Sequence, residues 1–293
     1  VSIINTYASK MSQEDMLGET SYWLKQQDGI KASNQLLASL GQVNALPSIA
    51  TLSLTQELTG KLLRECNHVY NTQINDLLLT ALGRSVARLT LQPTVHVLLE
   101  GHGRESEIAV GVDLSKTVGW FTSMYPVKLD LSSESLALNI MSIKDQLHEM
   151  PHSGIGYGAL FGYLAEELPR ISFNYLGQLD NNALTQSTQW GLVNESSGVS
   201  FNLDNKDHHL ININGAVSNG QLAFSIVSQL GVELSKRLAA EFKRELELVI
   251  TTLSTAPRTY LSAGDVDNIV SQACLDRIQS SSEISGVYAA NSL

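Results

Sequence analysis

The stretch TQINDLLLTALGRSVARLTLQPTVHVLLE, Thr72–Glu100, decides the fold class. Its first part, Thr72–Leu89, repeats apolar residues close to the positions i, i+3, i+4 and i+7, which predicts an amphipathic helix. The members of the apolar face are Ile74, Leu77, Leu78, Ala81, Leu82 and Val86. The segment Thr94–Glu100 is rich in β-branched residues and predicts a strand. A helix that leads into a strand is typical of α/β folds.

The chain before this stretch also alternates between helical and strand patterns. Met11–Ile30 has roughly helical spacing of its apolar residues and predicts a helix, after which a polar stretch follows. The alternation in Ser48–Thr55 predicts a strand. Ser53 with Gln56 resembles a capping box, so we expect the next helix to open there and to run to about Tyr70.

The chain after this stretch continues the alternation. Thr117–Val127 predicts a strand with Pro126 near its end, and Ser133–Glu149 predicts a long helix that Pro151 stops. Four further strands are predicted at Arg170–Gly177, Gly198–Leu203, His208–Val217 and Gln221–Gln229, the last two joined as a hairpin across Ser218, Asn219 and Gly220. A helix over Val232–Leu253 follows. The predicted fold class is therefore α/β, with a mixed sheet covered by helices.

Composition and charge restrict the classes of partner. The net charge is −10 and no run is dense in Lys or Arg, which argues against binding to nucleic acid or to an anionic membrane. Cys66 and Cys274 give neither a disulfide framework nor a zinc-ligand spacing, so we expect a reducing, cytoplasmic setting. No apolar run has the length of a membrane span. The start, VSIINTYASK, lacks an initiator Met and a signal pattern, and we expect it to lie inside a longer polypeptide.

Three motif matches carry little weight. HEMPH, His148–His152, fits a zinc-protease template, but Pro151 breaks the helix that would bring the two imidazoles together. GIGYGA, Gly154–Ala159, fits a dinucleotide fingerprint, but a helix and a proline precede it instead of a strand, so its glycines are predicted to serve a tight turn. The pair His208–His209 opens a predicted strand, where neighbouring side chains point to opposite faces. We predict no metal site.

The segment LEGHGRE, Leu99–Glu105, brings two acids, an imidazole and a guanidinium to the end of a predicted strand. A carboxylate there, beside glycines, could lie at a cleft with the backbone open to a substrate. Composition alone favours a solvated loop in which Glu100, Arg104 and Glu105 form ion pairs.

The order of several motifs adds a resemblance. They are ETSYWL (Glu19–Leu24), NDLLLTALG (Asn75–Gly83), EGHGRE (Glu100–Glu105), KTVGWFTSMYPV (Lys116–Val127), PHSGIGYG (Pro151–Gly158) and FNYLGQ (Phe173–Gln178). Together they resemble the epimerization domains of nonribosomal peptide synthetases. Lys116 stands where that family usually has Arg.

The resemblance implies a chloramphenicol-acetyltransferase-like mixed-sheet sandwich with two lobes, of which the first carries an HHxxxDG-type motif with a catalytic second His. No such motif occurs in this sequence, because His208–His209 is followed by LININ. Residues 1–255 therefore resemble the second, C-terminal lobe. Residues 256–293 are expected to be a linker and the start of a following condensation domain, since ISGVYAANSL (Ile284–Leu293) resembles such an opening.

The activity implied by the resemblance is inversion of an amino acid, L to D, while it is held as an aminoacyl or peptidyl thioester. The thioester rides on the phosphopantetheine arm of a peptidyl carrier protein, so this chain would bind no cofactor of its own. The expected partners are that carrier protein, the missing N-terminal lobe and the downstream condensation domain. The fragment by itself is expected to be inactive. A condensation-type acyltransferase lobe and a non-catalytic interaction module are the alternatives.

The resemblance also implies roles for single residues. Glu100 is the expected acid/base, opposite the His of the missing lobe, and Tyr175 a proton relay or oxyanion donor. Asn174 is expected to position the substrate, with His102, Trp120 and Tyr125 as further substrate-binding residues. Alternation along the strand sends Asn174 and Tyr175 to opposite faces. Strand hydrogen bonding explains Asn174 and Tyr175 equally well, and core packing explains the other two aromatic residues.

Overall fold

The computed structural model describes residues 13–41, 46–105, 116–179 and 207–289. In chain order the helices and strands are α1 (Gln13–Gln27), α2 (Ile30–Ser39), β1 (Ser48–Ser53), α3 (Gln56–Arg64), α4 (Ile74–Thr90), β2 (Thr94–Gly101), β3 (Ser123–Asp130), α5 (Leu136–His148), α6 (Ile155–Phe161), β4 (Ile171–Gln178), β5 (Ile211–Ser218), β6 (Gln221–Ser228), α7 (Val232–Ser254) and α8 (Gln272–Ser281). Short 3₁₀ turns lie at Pro151–Gly154, Ala165–Glu167 and Gly264–Val266. No described helix has the length and apolar character needed to cross a membrane.

One six-stranded mixed sheet, in the order β1-β6-β5-β4-β2-β3, organises the described residues. Strands β4 and β5, and β2 and β4, pair in parallel, whereas β1 with β6, β5 with β6 and β2 with β3 pair antiparallel. The α/β class with a mixed sheet is therefore confirmed. The carboxyl ends of the parallel strands β2, β4 and β5 lie at the same end of the sheet. Open α/β sheets bind their ligands at the carboxyl ends of their strands.

One face of the sheet is the core. Leu52 pairs with Phe224, Ile213 with Phe173, and Phe173 with Leu99, so these buried side chains share one face. The core helices α4 and α7 pack against each other, α4 also against β2 and α7 also against β1. The ring of Phe224 contacts that of Phe242 on α7, with centroids 5.1 Å apart. Burial of this apolar layer is the main favourable term in folding.

The opposite face is polar in its middle. Thr51 pairs with Ser225, Ser225 with Asn214, and Asn214 with Asn174 across neighbouring strands. Glu100 follows the paired Leu99 just as Asn174 follows Phe173, so it lies on this same polar face.

Strand β3 forms an edge of the sheet that is closed to further pairing. The backbone N–H of Lys128 donates to the Gln26 side chain on α1 (2.8 Å), and that of Met124 donates to the hydroxyl of Tyr163 (3.4 Å). Between them Pro126 has no N–H to offer. Natural sheets commonly protect their edges in these ways.

The predicted start of this strand, Thr117, was wrong. The strand begins at Ser123, which pairs with Gly101, the last residue of β2. Because β2 offers no partner beyond that pair, the preceding residues cannot join the ladder, and Val118 and Trp120 are exposed instead.

Two helix predictions also need correction. The stretch after α1, predicted as polar connection, contains α2, which buries Ile30 and Leu37. The capping residue of α3 is Thr55, whose side chain accepts from Leu58 N (3.2 Å), because Ser53 is still in β1. Helix α3 ends at Arg64 and not near Tyr70.

The other predicted elements are confirmed with small shifts of their ends: α1, β1, α4, β2, α5, β4 and α7. The hairpin between β5 and β6 turns at Asn219 and Gly220, both with positive φ as a type I′ turn requires. The strand predicted at 198–203 lies outside the described residues.

Candidate functional site

The candidate site lies at the carboxyl end of β2, next to the first residues of β3. Glu100 is exposed there, opposite Met124 in the β2–β3 ladder and on the same face as Asn174. In the described part of the chain its carboxylate makes no hydrogen bond or ion pair. Glu100 is therefore held by a rigid strand while its side chain stays available for chemistry.

The loop after Glu100 is fixed by Arg104. Its guanidinium lies 4.3 Å from the ring centre of Phe121 and donates to the carbonyl of Gly119 (3.3 Å). Gly103 has φ +64°, and a Cβ there would overlap the carbonyl oxygen of Phe121. These contacts bind the loop that follows β2 to the loop that precedes β3, so both sides of the site are fastened together.

His102 is exposed beside Glu100 in sequence. Its Nδ1 accepts from the backbone N–H of Arg104 (3.0 Å), and its Nε2 lies 3.4 Å from a carboxylate oxygen of Glu105. Glu105 thus contacts His102, and Glu100 takes part in no ion pair of this loop within the described residues.

The two aromatic residues expected to bind substrate have different surroundings. Trp120 is 90% exposed, on the loop that Arg104 fastens. Tyr125 is 6% exposed, packs on Trp23 with centroids 6.2 Å apart, and lies against Gly154. Burial, with a smaller effect of the Glu105 charge, raises the pKa of Tyr125 to about 12, so its phenol stays protonated at neutral pH.

Asn174 and Tyr175 lie on opposite faces of β4, as alternation predicts. Asn174 shares the polar face with Glu100, whereas Tyr175 is half-buried and packs against the core cluster. Burial raises the pKa of the Tyr175 hydroxyl. The pairing of β4 with β5 shifts register just after Tyr175, so this residue marks the point where the strand becomes irregular.

Two features of the site were missed by sequence reasoning. The Tyr163 hydroxyl meets the backbone of Met124, directly across from Glu100. Glu19, 5% exposed, accepts from Trp23 Nε1 (3.0 Å) and lies 3.6 Å from Nδ1 of His152. An acid four residues before a Trp on one helix was the available signal for Glu19, whereas Tyr163 had none beyond its place after a glycine-rich motif.

The discounted motifs have other roles. Helix α5 ends at His148, as the proline predicts, and the imidazole there lies 3.4 Å from Asp76, away from the His152–Glu19 contact. Gly154 has φ +81° in the turn before α6, as predicted, whereas the prediction was wrong for Gly156 and Gly158, which lie within that helix. His208 and His209 precede β5 instead of opening it. Among the described residues, no group of His, Cys, Asp or Glu is arranged for a metal ion.

Comparison with known proteins assigns the family. The protein family described as "Condensation domain" matches residues 3–268 of this chain. The chain belongs to the condensation-domain family. It is 34% identical over 275 residues to bacitracin synthase 2 of Bacillus licheniformis, covering 89% of this chain and 10% of that protein. It is 37% identical over 243 residues to bacitracin synthase 3 of the same organism, covering 78% and 4%.

A solved relative matches the fold of this condensation-family chain. The epimerization domain from the third module of tyrocidine synthetase B superposes with a TM-score of 0.69 at 29% identity, over 86% of this chain and 58% of that one. The six-stranded mixed sheet is thus the sheet of a condensation or epimerization domain. The chain spans only a small part of its curated relatives and little more than half of the solved domain.

Proposed function

We propose that this chain is the C-terminal lobe of an epimerization domain, which inverts an amino acid held as a thioester on a peptidyl carrier protein. Two findings support this choice within the family: the structural likeness to an epimerization domain and the EGHGRE segment at the end of β2. Residues 256–293 would then lead toward a following condensation domain.

The reaction needs a proton removed from the α-carbon and another returned from the opposite side. The thioester carbonyl delocalises the resulting negative charge as an enolate, so the site must supply an acid/base on each side and donors for the oxyanion. Glu100 is the group on this side. Its counterpart is the second His of an HHxxxDG-type motif in the N-terminal lobe, and the chain without that lobe is inactive.

The neighbouring residues have supporting roles in this proposal. Asn174, on the face of Glu100, positions the substrate, and His102 and Trp120 line its path. Tyr175 and Tyr125 take part as protonated phenols that donate a hydrogen bond to the substrate, because burial raises the pKa of both hydroxyls. Tyr125 is buried and Tyr175 only half-buried, so Tyr125 needs a larger opening of its surroundings to contact the substrate. The phosphopantetheine arm belongs to the carrier protein.

The observation that carries the proposal is the position of Glu100. Glu100 lies at the end of β2, exposed on the polar face of the sheet and without a partner in the described residues, so no architectural contact occupies its carboxylate there. A general base must be able to approach the proton that it removes.

The test measures exchange of the α-proton for deuterium in a carrier-bound aminoacyl thioester, using the complete two-lobed domain. Glu100→Gln should slow exchange at least about 100-fold, the usual contribution of a general base. Glu57→Gln on α3, an exposed acid paired with Lys61, is the matched control and should exchange at the normal rate. Undiminished exchange in Glu100→Gln refutes the role.

A condensation activity is the rival function, since the matching family is named for it. Chromatography of the products distinguishes the two reactions. A D-configured monomer or peptide supports epimerization, whereas a new peptide bond between two carrier-bound substrates would show an acyltransferase.

A further inference from the structure

The segment that follows α7, residues 256–281, returns to the lobe and packs on it. The backbone N–H of Tyr260 donates to the carbonyl of Val69 (2.7 Å), and the rings of Tyr260 and Tyr70 lie 5.7 Å apart. We call this segment the connector. The sequence is turn-rich over Ser254–Asn268 and predicts a short helix over Asp265–Gln279 within a linker, and the helix observed is α8 (Gln272–Ser281).

A buried lysine joins the connector to α5. Lys144 is 1% exposed, and its ammonium donates to Asp265 in the connector (2.6 Å) and to the carbonyl of Tyr70 (3.0 Å). Asp145 lies 3.7 Å from the same ammonium. A buried ammonium is costly unless such partners surround it, so Lys144 depends on the connector being in place.

A second set of bonds holds the same region. Asp145 on α5 accepts from the hydroxyl of Ser262 (2.7 Å) and from the backbone N–H of Gly264 (3.2 Å). Asp265 accepts from the backbone N–H of Ser262 (2.7 Å). Each carboxylate therefore contacts both the lysine and a backbone N–H or hydroxyl of the connector, which couples these contacts to one another.

The connector also has internal structure. Gln279, 4% exposed on α8, accepts from the backbone N–H of Leu261 (2.7 Å) and donates to the carbonyl of the same residue (3.0 Å). Leu261, Val266 and Leu275 form a small apolar core of their own. This packing ties α8 to the residues that Lys144 and Asp145 hold.

We propose that the connector is a rigid coupling, locked to the lobe by Lys144, and that it fixes the direction in which the chain leaves the lobe. Release would separate Lys144 from Asp265, and Asp145 from Ser262 and Gly264, in one event, so the connector is either docked or free, with no half-released state. Helix α8, up to its end at Ser281, then moves with the lobe as one body. This inference does not depend on which reaction the lobe catalyses.

Hydrogen exchange of the full chain tests the coupling. Amides of residues 260–279 should exchange as slowly as the strands of the sheet. Lys144→Met should speed their exchange about 100-fold while the strands keep their protection, since breaking a buried pair is costly and here local. Lys61→Met, which breaks an exposed pair, is the matched control and should leave the connector unchanged. Fast exchange of the connector in the unaltered chain overturns the proposal.

A second measurement tests the coupling independently in case the Lys144→Met variant does not fold. Cys274 lies on α8 and is partly exposed, whereas Cys66 is buried, so a fluorescent maleimide labels α8 in a Cys66→Ser background. Gln279→Ala loosens the connector without touching α5. It should lower the anisotropy of the label from the value for the whole lobe toward that of a mobile tail. A label that is already mobile before any substitution also overturns the coupling.

Discussion

At the candidate site, the sequence predicts where single residues lie along their strands but does not predict which distant residues their side chains contact. The placement of Glu100 at a strand end follows from the β-branched run before it, and alternation correctly separated Asn174 from Tyr175. The contact of Gly103 with Phe121 did not follow from the sequence, since it joins two loops that are adjacent only because β2 and β3 pair. Side-chain contacts between distant segments require the fold itself.

Gly103→Ala should damage the site without unfolding the core. The new Cβ would overlap the Phe121 carbonyl at a positive φ, so the loop must shift and Arg104 must leave the Phe121 ring. We expect α-proton exchange by the complete domain to fall at least about tenfold, by the usual sensitivity of a site to small displacements. The urea midpoint should move little. Normal exchange in this variant would show that the loop geometry is not needed.

His96 gives the lobe a pH dependence. It is buried, its Nε2 is hydrogen-bonded to the carbonyl of Asp28 (2.9 Å), and burial lowers its pKa below the ordinary 6.5. Below pH 6.5 the unfolded chain therefore binds a proton that the folded chain resists, and stability falls as the pH falls. The pKa of His208 is lowered too and acts in the same direction.

His96→Gln isolates that effect. Below about pH 6.5 the free energy of unfolding should rise with pH, by at most about 1.4 kcal/mol per pH unit for His96. The variant should show a shallower slope in urea titrations at several pH values. If the unfolding free energy changes equally with pH in both proteins, His96 does not cause the pH dependence.

At the scale of helices and strands, the periodicity of apolar residues predicted the long elements. It did not predict elements whose existence or ends depend on tertiary packing. Helix α4 and strand β2 were predicted from their own residues, whereas α2 owes its helix to the burial of Ile30 and Leu37. Strand β3 starts six residues after its predicted start because its partner β2 ends at Gly101. The β propensity of Thr117–Thr122 had no ladder to join.

The cap of α3 allows a matched comparison. Thr55→Ala removes the oxygen that accepts from Leu58 N and should cost about 1 kcal/mol of stability. Ser53→Ala, at the residue that the sequence pattern predicts as the cap, should cost less than about 0.5 kcal/mol. Urea unfolding of both variants measures the difference. Equal costs would mean that Thr55 is not the cap in solution.

At the scale of the whole molecule, the proposed reaction needs two acid/base groups, and Glu100 is the one that we propose for this chain. The described lobe places one acid/base candidate at a strand end, and the solved epimerization domain extends well beyond the region that this chain covers. We therefore expect the 293-residue chain to fold and to give no α-proton exchange above the rate of its Glu100→Gln variant. Circular dichroism and mass spectrometry of the thioester measure the two parts. Exchange by the chain alone would show that a second base lies within it.

The closed edge at β3 limits how copies of this lobe can associate. Filaments built by strand addition need two open edges on every sheet, one to receive a neighbour and one to offer the next. Here Gln26 and Tyr163 occupy the two donors on β3, and Pro126 removes a third. Growth by this route would stop at a pair joined through β1, so the edge at β3 protects this sheet from open-ended association.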